Sequence, residues 1–101
     1  MATDSLHTKK ILLVDDEPEL LRLLVTVLSA DGFTNLVTAH DVASALSAYE
    51  KETPDLAVLD VALPDGDGFT LCAYLRTLSK ARPLPVIFLT ASDDEYSTVA
   101  G

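Results

Sequence analysis

The chain has 101 residues, of which 49% are hydrophobic and 23% charged, with 4 Gly and 5 Pro dispersed along it; this composition suits one ordinary globular domain and excludes a disordered or fibrous chain. Sixteen acids against seven bases leave a formal charge of -9, which repels phosphate backbones and argues against direct nucleic-acid contact by this segment. No apolar run approaches the ~20 residues that span a bilayer, and the opening MATDSLHTKK lacks the apolar stretch of a secretion signal, so the expectation is a cytoplasmic protein without a membrane partner.

In chain order, residues 1–8 read as a tail and 9–101 as a single core. ILLV (11–14) is a continuous run of β-formers, as in a strand buried on both faces, and it ends on the acidic pair Asp15 and Asp16. Residues 18–30 read as a helix: Leu20, Leu23, Leu24, Val27 and Leu28 recur at spacings of three and four, Pro18 suits the first turn, and Gly32 suits the position just past the end. NLVTA (35–39) is a weaker strand. A second helix follows over 42–52, with Val42, Ala45, Leu46 and Tyr49 on one face, Asp41 as N-cap and Pro54 preventing its continuation.

LAVL (56–59) is a third strand and ends on Asp60, and PDGDG (64–68) reads as a turn into a third helix over 67–80, with Phe69, Cys72, Leu75 and Leu78 spaced three apart. The lone Cys72 excludes an internal disulfide and reads as a core thiol. VIFL (86–89) is a fourth strand, ending on Thr90, and a further helix begins near Asp93 and is interrupted at Gly101.

Buried strands alternating with helices imply an α/β fold, a doubly wound parallel sheet whose ligands bind at the carboxyl ends of the strands. That edge is where Asp15, Asp16, Asp60 and Thr90 fall. Singly, each has a plainer reading: helix N-terminal acids for Asp15 and Asp16, a turn former for Asp60, an ordinary strand-end residue for Thr90. Jointly, an acidic pair, a single acid and a hydroxyl after three separate strands point to one site.

Carboxylates ~5 Å apart repel by about 3 kcal/mol per pair at an effective dielectric near 20, which a hard divalent cation offsets; Mg2+ suits a few carboxylates that await a phosphate oxygen. Asp60 can then attack phosphorus, with the Thr90 hydroxyl and the Ala91 N–H as donors to the phosphoryl oxygens. A calcium loop is excluded, because aligning Gly68 with the loop glycine puts Leu63 and Tyr74 where carboxylates are required. His7 and His40 show no ligand spacing.

The stretches ILLVDDEPEL, DLAVLDVALPDGDGF and PVIFLTA together resemble the receiver domains of bacterial two-component response regulators over nearly the whole chain. The resemblance implies a flavodoxin-like sheet of order 2-1-3-4 here, with the family's fifth strand and final helices missing. It further implies Asp60 as phosphoacceptor, Mg2+ held by Asp15, Asp16, Asp60 and the Ala62 carbonyl, Thr90 as switch hydroxyl and the Ala91 N–H as a further phosphoryl donor. The partner it implies is a sensor histidine kinase or phosphotransfer protein.

The family's lysine at the end of a fifth strand is not among these residues. From this follow two further expectations: a fourth strand whose open edge pairs with a second copy in a homodimer, and, as the alternative function, a phosphorylation-incompetent interaction module. An aspartyl phosphatase is set aside because Ala62 stands where such enzymes carry a second carboxylate. The expected chemistry is therefore self-phosphorylation and dephosphorylation, without turnover of an external substrate.

Overall fold

The structure is a computed structural model that describes residues 7–89. Four apolar runs form its central sheet: β1 (Ile11–Val14), β2 (Leu36–Ala39), β3 (Leu56–Asp60) and β4 (Val86–Leu89). All four are parallel, in the order β2-β1-β3-β4, which is the doubly wound arrangement expected. Thr90 and Ala91 and the helix read near Asp93 lie outside the described residues. No helix among the described residues is long and apolar enough to cross a membrane.

Register decides what the sheet delivers at its carboxyl edge. Val14 lies opposite Leu59 and Ala39, and Asp60 opposite Leu89. One residue past Val14, Asp15 therefore falls beside Asp60 on the neighbouring strand. The ladder does not stop at the strand ends, since the Asp15 N–H donates to the Ala39 carbonyl at 3.1 Å and the Val61 N–H to the Leu89 carbonyl at 3.1 Å. The acidic edge is thus tied to the sheet on both sides.

Among the described residues three helices complete the layers: α1 (Pro18–Ala30), α2 (Val42–Glu52) and α3 (Gly68–Leu78). Leu12, Val14, Ala57 and Leu59 of the sheet share one core cluster with Ala45 of α2 and Leu71, Cys72 and Leu75 of α3, so α2 and α3 cover one face while α1 packs on β1. α2 begins as the sequence suggests: Asp41 accepts from the Ser44 N–H at 2.7 Å, and the Ser44 hydroxyl accepts from the Asp41 N–H at 3.2 Å, a reciprocal capping box. Gly32, with φ of 103°, takes the left-handed conformation that ends α1.

At the opposite edge of the sheet, the Lys10 N–H and the Arg82 guanidinium both donate to Asp55, each at 2.9 Å. The Lys10 backbone contact is the larger reason that the Asp55 carboxyl lies below its ordinary range. Lys10 also pairs with Glu52 at 2.9 Å, which ties the entry to β1 to the end of α2.

The helix faces differ from the spacing read in the sequence, and helical geometry explains how. On α3 the buried positions are Gly68, Leu71, Cys72 and Leu75, while Phe69 and Leu78 are exposed. A strict spacing of three drifts by about 60° per step against 3.6 residues per turn, so the ends of the series Phe69, Cys72, Leu75, Leu78 leave the face. On α1 the half-buried stripe includes Leu21, Leu24, Val25 and Leu28, whereas Leu23 and Val27 are 56% and 58% exposed. No residue of α1 is fully buried.

The face assignment on α3 has a direct check by urea denaturation. Leu75, with 0% exposure, should lose about 2–5 kcal/mol of stability on replacement by Ala. Leu78→Ala, on the solvent side, should lose less than about 1 kcal/mol.

Candidate functional site at the carboxyl edge of the sheet

Asp15, Asp16 and Asp60 come together as the register requires: one oxygen from each lies within 4.8 Å of the others. Asp15 is 2% exposed and Asp60 8%, whereas Asp16 faces solvent. Asp15 is fixed by the turn into α1, where its Oδ1 accepts from the Glu17 N–H at 2.9 Å. Asp60 Oδ1 accepts from the Ala62 N–H at 3.4 Å, a long contact that restrains the side chain weakly.

Electrostatics follow from this placement. Burial pushes the Asp60 carboxyl above its ordinary range, and the neighbouring charge of Asp15 adds to the rise. Asp15 is also raised, first by burial and then by Asp16, against the opposing effect of the Glu17 N–H. The ion pairs among the described residues, Lys10 with Glu52, His40 with Asp41 and Arg82 with Asp55, leave all three site acids without a cationic side chain. The donor set is oxygen alone, with neither His nor Cys in it. Such a set fits a hard divalent cation of the Mg2+ type and disfavours zinc or copper.

The turn after Asp60 is more ordered than a simple loop. Ala62–Leu63 and Gly66–Asp67 form a two-residue antiparallel ladder, with Ala62 opposite Asp67. Asp67 then caps α3, accepting from the Thr70 N–H at 2.8 Å. Gly68 closes the elbow: its N–H donates to the Val61 carbonyl at 2.8 Å. A Cβ there would press on the Asp60 carbonyl oxygen and lie 3.1 Å from the Asp60 carbonyl carbon. Sequence reading treats Gly68 only as a turn residue, yet close approach of two backbones is what demands glycine here.

A second residue missed in the sequence is Asp65. Its two carboxylate oxygens accept from the Val42 and Ala43 N–H groups at 2.7 and 3.1 Å. The DG pairs in PDGDG hint at a turn, but nothing local points to α2. Of the remaining candidates, Ala62 sits in the ladder, while Thr90 and Ala91 lie outside the described residues. His40 lies beside Asp41 at 3.6 Å, and His7 packs edge-on against Phe33, so neither joins the acidic cluster.

Comparison with known proteins agrees with this fold. A family model described as the response regulator receiver domain matches residues 11–101. The transcriptional regulatory protein GltR of Pseudomonas aeruginosa is 43% identical over 97 residues, covering 96% of this chain and 40% of that protein. The alkaline phosphatase synthesis transcriptional regulatory protein PhoP of Bacillus subtilis is 44% identical over 93 residues, covering 92% and 38%. This chain thus spans about two fifths of the length of such curated relatives. Among solved structures, a putative response regulator from Chloroflexus aurantiacus superposes with a TM-score of 0.81 at 34% identity, covering 93% of this chain and 76% of that one.

Gly68→Ala tests the elbow. The backbone must shift to admit the methyl group, which should lower the unfolding free energy by about 1–3 kcal/mol and displace the amide NMR signals of Asp60 and Val61. Unchanged signals would mean that the close approach does not position Asp60.

Proposed function

This chain belongs to the response regulator receiver domain family, and from that premise we propose that it is a phosphoacceptor switch in which Asp60 takes a phosphoryl group from a phosphohistidine of a sensor kinase or phosphotransfer protein. The observation that carries this reading is the register that sets buried Asp60 beside buried Asp15 with no cationic side chain among the described residues to neutralise them.

Asp15, Asp16, Asp60 and the Ala62 carbonyl are the groups that would hold Mg2+. A bound Mg2+ would neutralise the acidic cluster and the phosphoryl oxygens drawn to it. The remaining chemistry belongs to the chain. An Asp60 carboxylate oxygen attacks phosphorus, the new O–P bond forms as the P–N bond to the donor imidazole breaks, and the imidazole departs with the electron pair and takes up a proton.

Asp15 contributes charge and stays oriented through the Glu17 N–H. Partial burial of Asp60 lowers the concentration of competing water around the adduct. Thr90 and Ala91 are assigned the hydroxyl and N–H that receive the phosphoryl oxygens; in support, Leu89 lies opposite Asp60 in the sheet and Thr90 is the next residue of the chain. In this reading the chain acts on itself and turns over no external substrate, so it is a signalling switch rather than an enzyme.

With Mg2+ and a small phosphodonor, the intact mass should rise by one phosphoryl group, and Asp60→Asn should abolish the rise. Label retained by that variant would move the acceptor elsewhere, and a wild-type chain that binds Mg2+ yet takes up no label would leave it a docking module.

A further inference from the structure

We propose that Asp65 is a positioning residue for the acidic site, holding the elbow that carries Asp60 and Ala62 by seating its carboxylate on the N-terminus of α2; the proposal rests on the phosphoacceptor reading above. The elbow from Val61 to Gly68 is the segment that presents both Asp60 and the Ala62 carbonyl. Within itself it has the Ala62–Leu63 and Gly66–Asp67 ladder and the Gly68 N–H to Val61 carbonyl bond. Those contacts fix its internal shape, and the Val61 N–H on the Leu89 carbonyl and buried Leu63 hold its base to the sheet and core, which leaves its tip to be held from outside.

Asp65, at the tip, supplies an outside anchor. Its oxygens accept from Val42 and Ala43, residues 23 and 22 positions earlier in the chain. These two N–H groups belong to the first turn of α2, where intrahelical acceptors do not exist and the partial charge is positive. A carboxylate is therefore well matched there, and it is held against a helix that is packed into the core through Ala45.

Packing beside the anchor is equally close. A Cβ on Gly66 would stand 3.1 Å from the Val42 Cγ2, so the ladder and the start of α2 meet with little room between them. Asp41 caps the same helix through a different N–H, that of Ser44, and its side chain bonds Ser44 and His40 and no residue of the elbow among the described residues. The two acids thus separate two roles: Asp41 serves α2 alone, while Asp65 joins α2 to the site.

This separation supplies the test. Mg2+ affinity is measured by calorimetric titration, and exchange of the Gly68 amide hydrogen by NMR without metal, for wild type, Asp65→Ala, Asp65→Asn and Asp41→Ala. Asp65→Ala should weaken Mg2+ binding about tenfold, as loss of a group that orients metal ligands does, and should speed Gly68 exchange. Asp65→Asn, which keeps one carbonyl acceptor, should fall between. Asp41→Ala should lower the melting temperature and leave both readouts at the wild-type level.

The proposal is overturned if Asp65→Ala leaves both readouts within twofold of wild type, or if Asp41→Ala changes them equally. A wild-type chain that binds no Mg2+ would instead remove the phosphoacceptor reading, while the Gly68 exchange comparison would still decide whether Asp65 holds the elbow.

Discussion

Three carboxylates held within 4.8 Å of one another at the end of a parallel sheet are the constraint on which the rest of this structure depends. At an effective dielectric near 20, each pair at that separation repels by about 3 kcal/mol, less where Asp16 meets solvent. Such a cluster does not assemble by its own preference. It exists because β1 and β3 are bound in a register that leaves Asp15 and Asp60 no other place to go, and because the strands behind them bury Leu12, Val14 and Leu59 almost completely. Hydrophobic burial below the site holds the repulsion above it in place.

The same constraint explains the backbone around the cluster. A buried carboxylate is useful for group transfer only if its position is known to within a fraction of an ångström. Asp60 has one long contact to the Ala62 N–H, so its own side chain does little to fix it. Position comes instead from two main-chain contacts, the Val61 N–H on the Leu89 carbonyl and the Gly68 N–H on the Val61 carbonyl, and from the Asp65 side chain on the first turn of α2. The site is thus a property of β3, its elbow and α2 together, more than of the three acids that define it.

Much of this was legible in the sequence, for identifiable reasons. Continuous apolar runs, two of them ending on Asp15 and Asp60, read as buried parallel strands because no other common element is so short and so apolar, and a parallel sheet collects their ends on one edge. Asp41 and Gly32 were legible because capping is local chemistry, decided within four residues. Less legible were the helix faces, where a spacing of three on α3 and a leucine-rich α1 allowed more than one stripe; packing chose Leu71 over Phe69, and Leu21 and Val25 over Leu23 and Val27. Gly68 and Asp65 were legible as turn residues, and their tertiary roles were not. Their partners, the Asp60 carbonyl and the first turn of α2, become neighbours only when the sheet has formed.

The most direct measurement is the unfolding free energy of wild type and Asp60→Asn in urea at neutral pH, each with and without Mg2+. If carboxylate repulsion is the governing constraint, the Asn variant is the more stable protein without metal, by on the order of 1–3 kcal/mol. Mg2+ then stabilises the wild type and leaves the variant nearly unchanged. A variant no more stable than wild type in the absence of metal, or an equal response of both proteins to Mg2+, would contradict the site described for Asp15, Asp16 and Asp60.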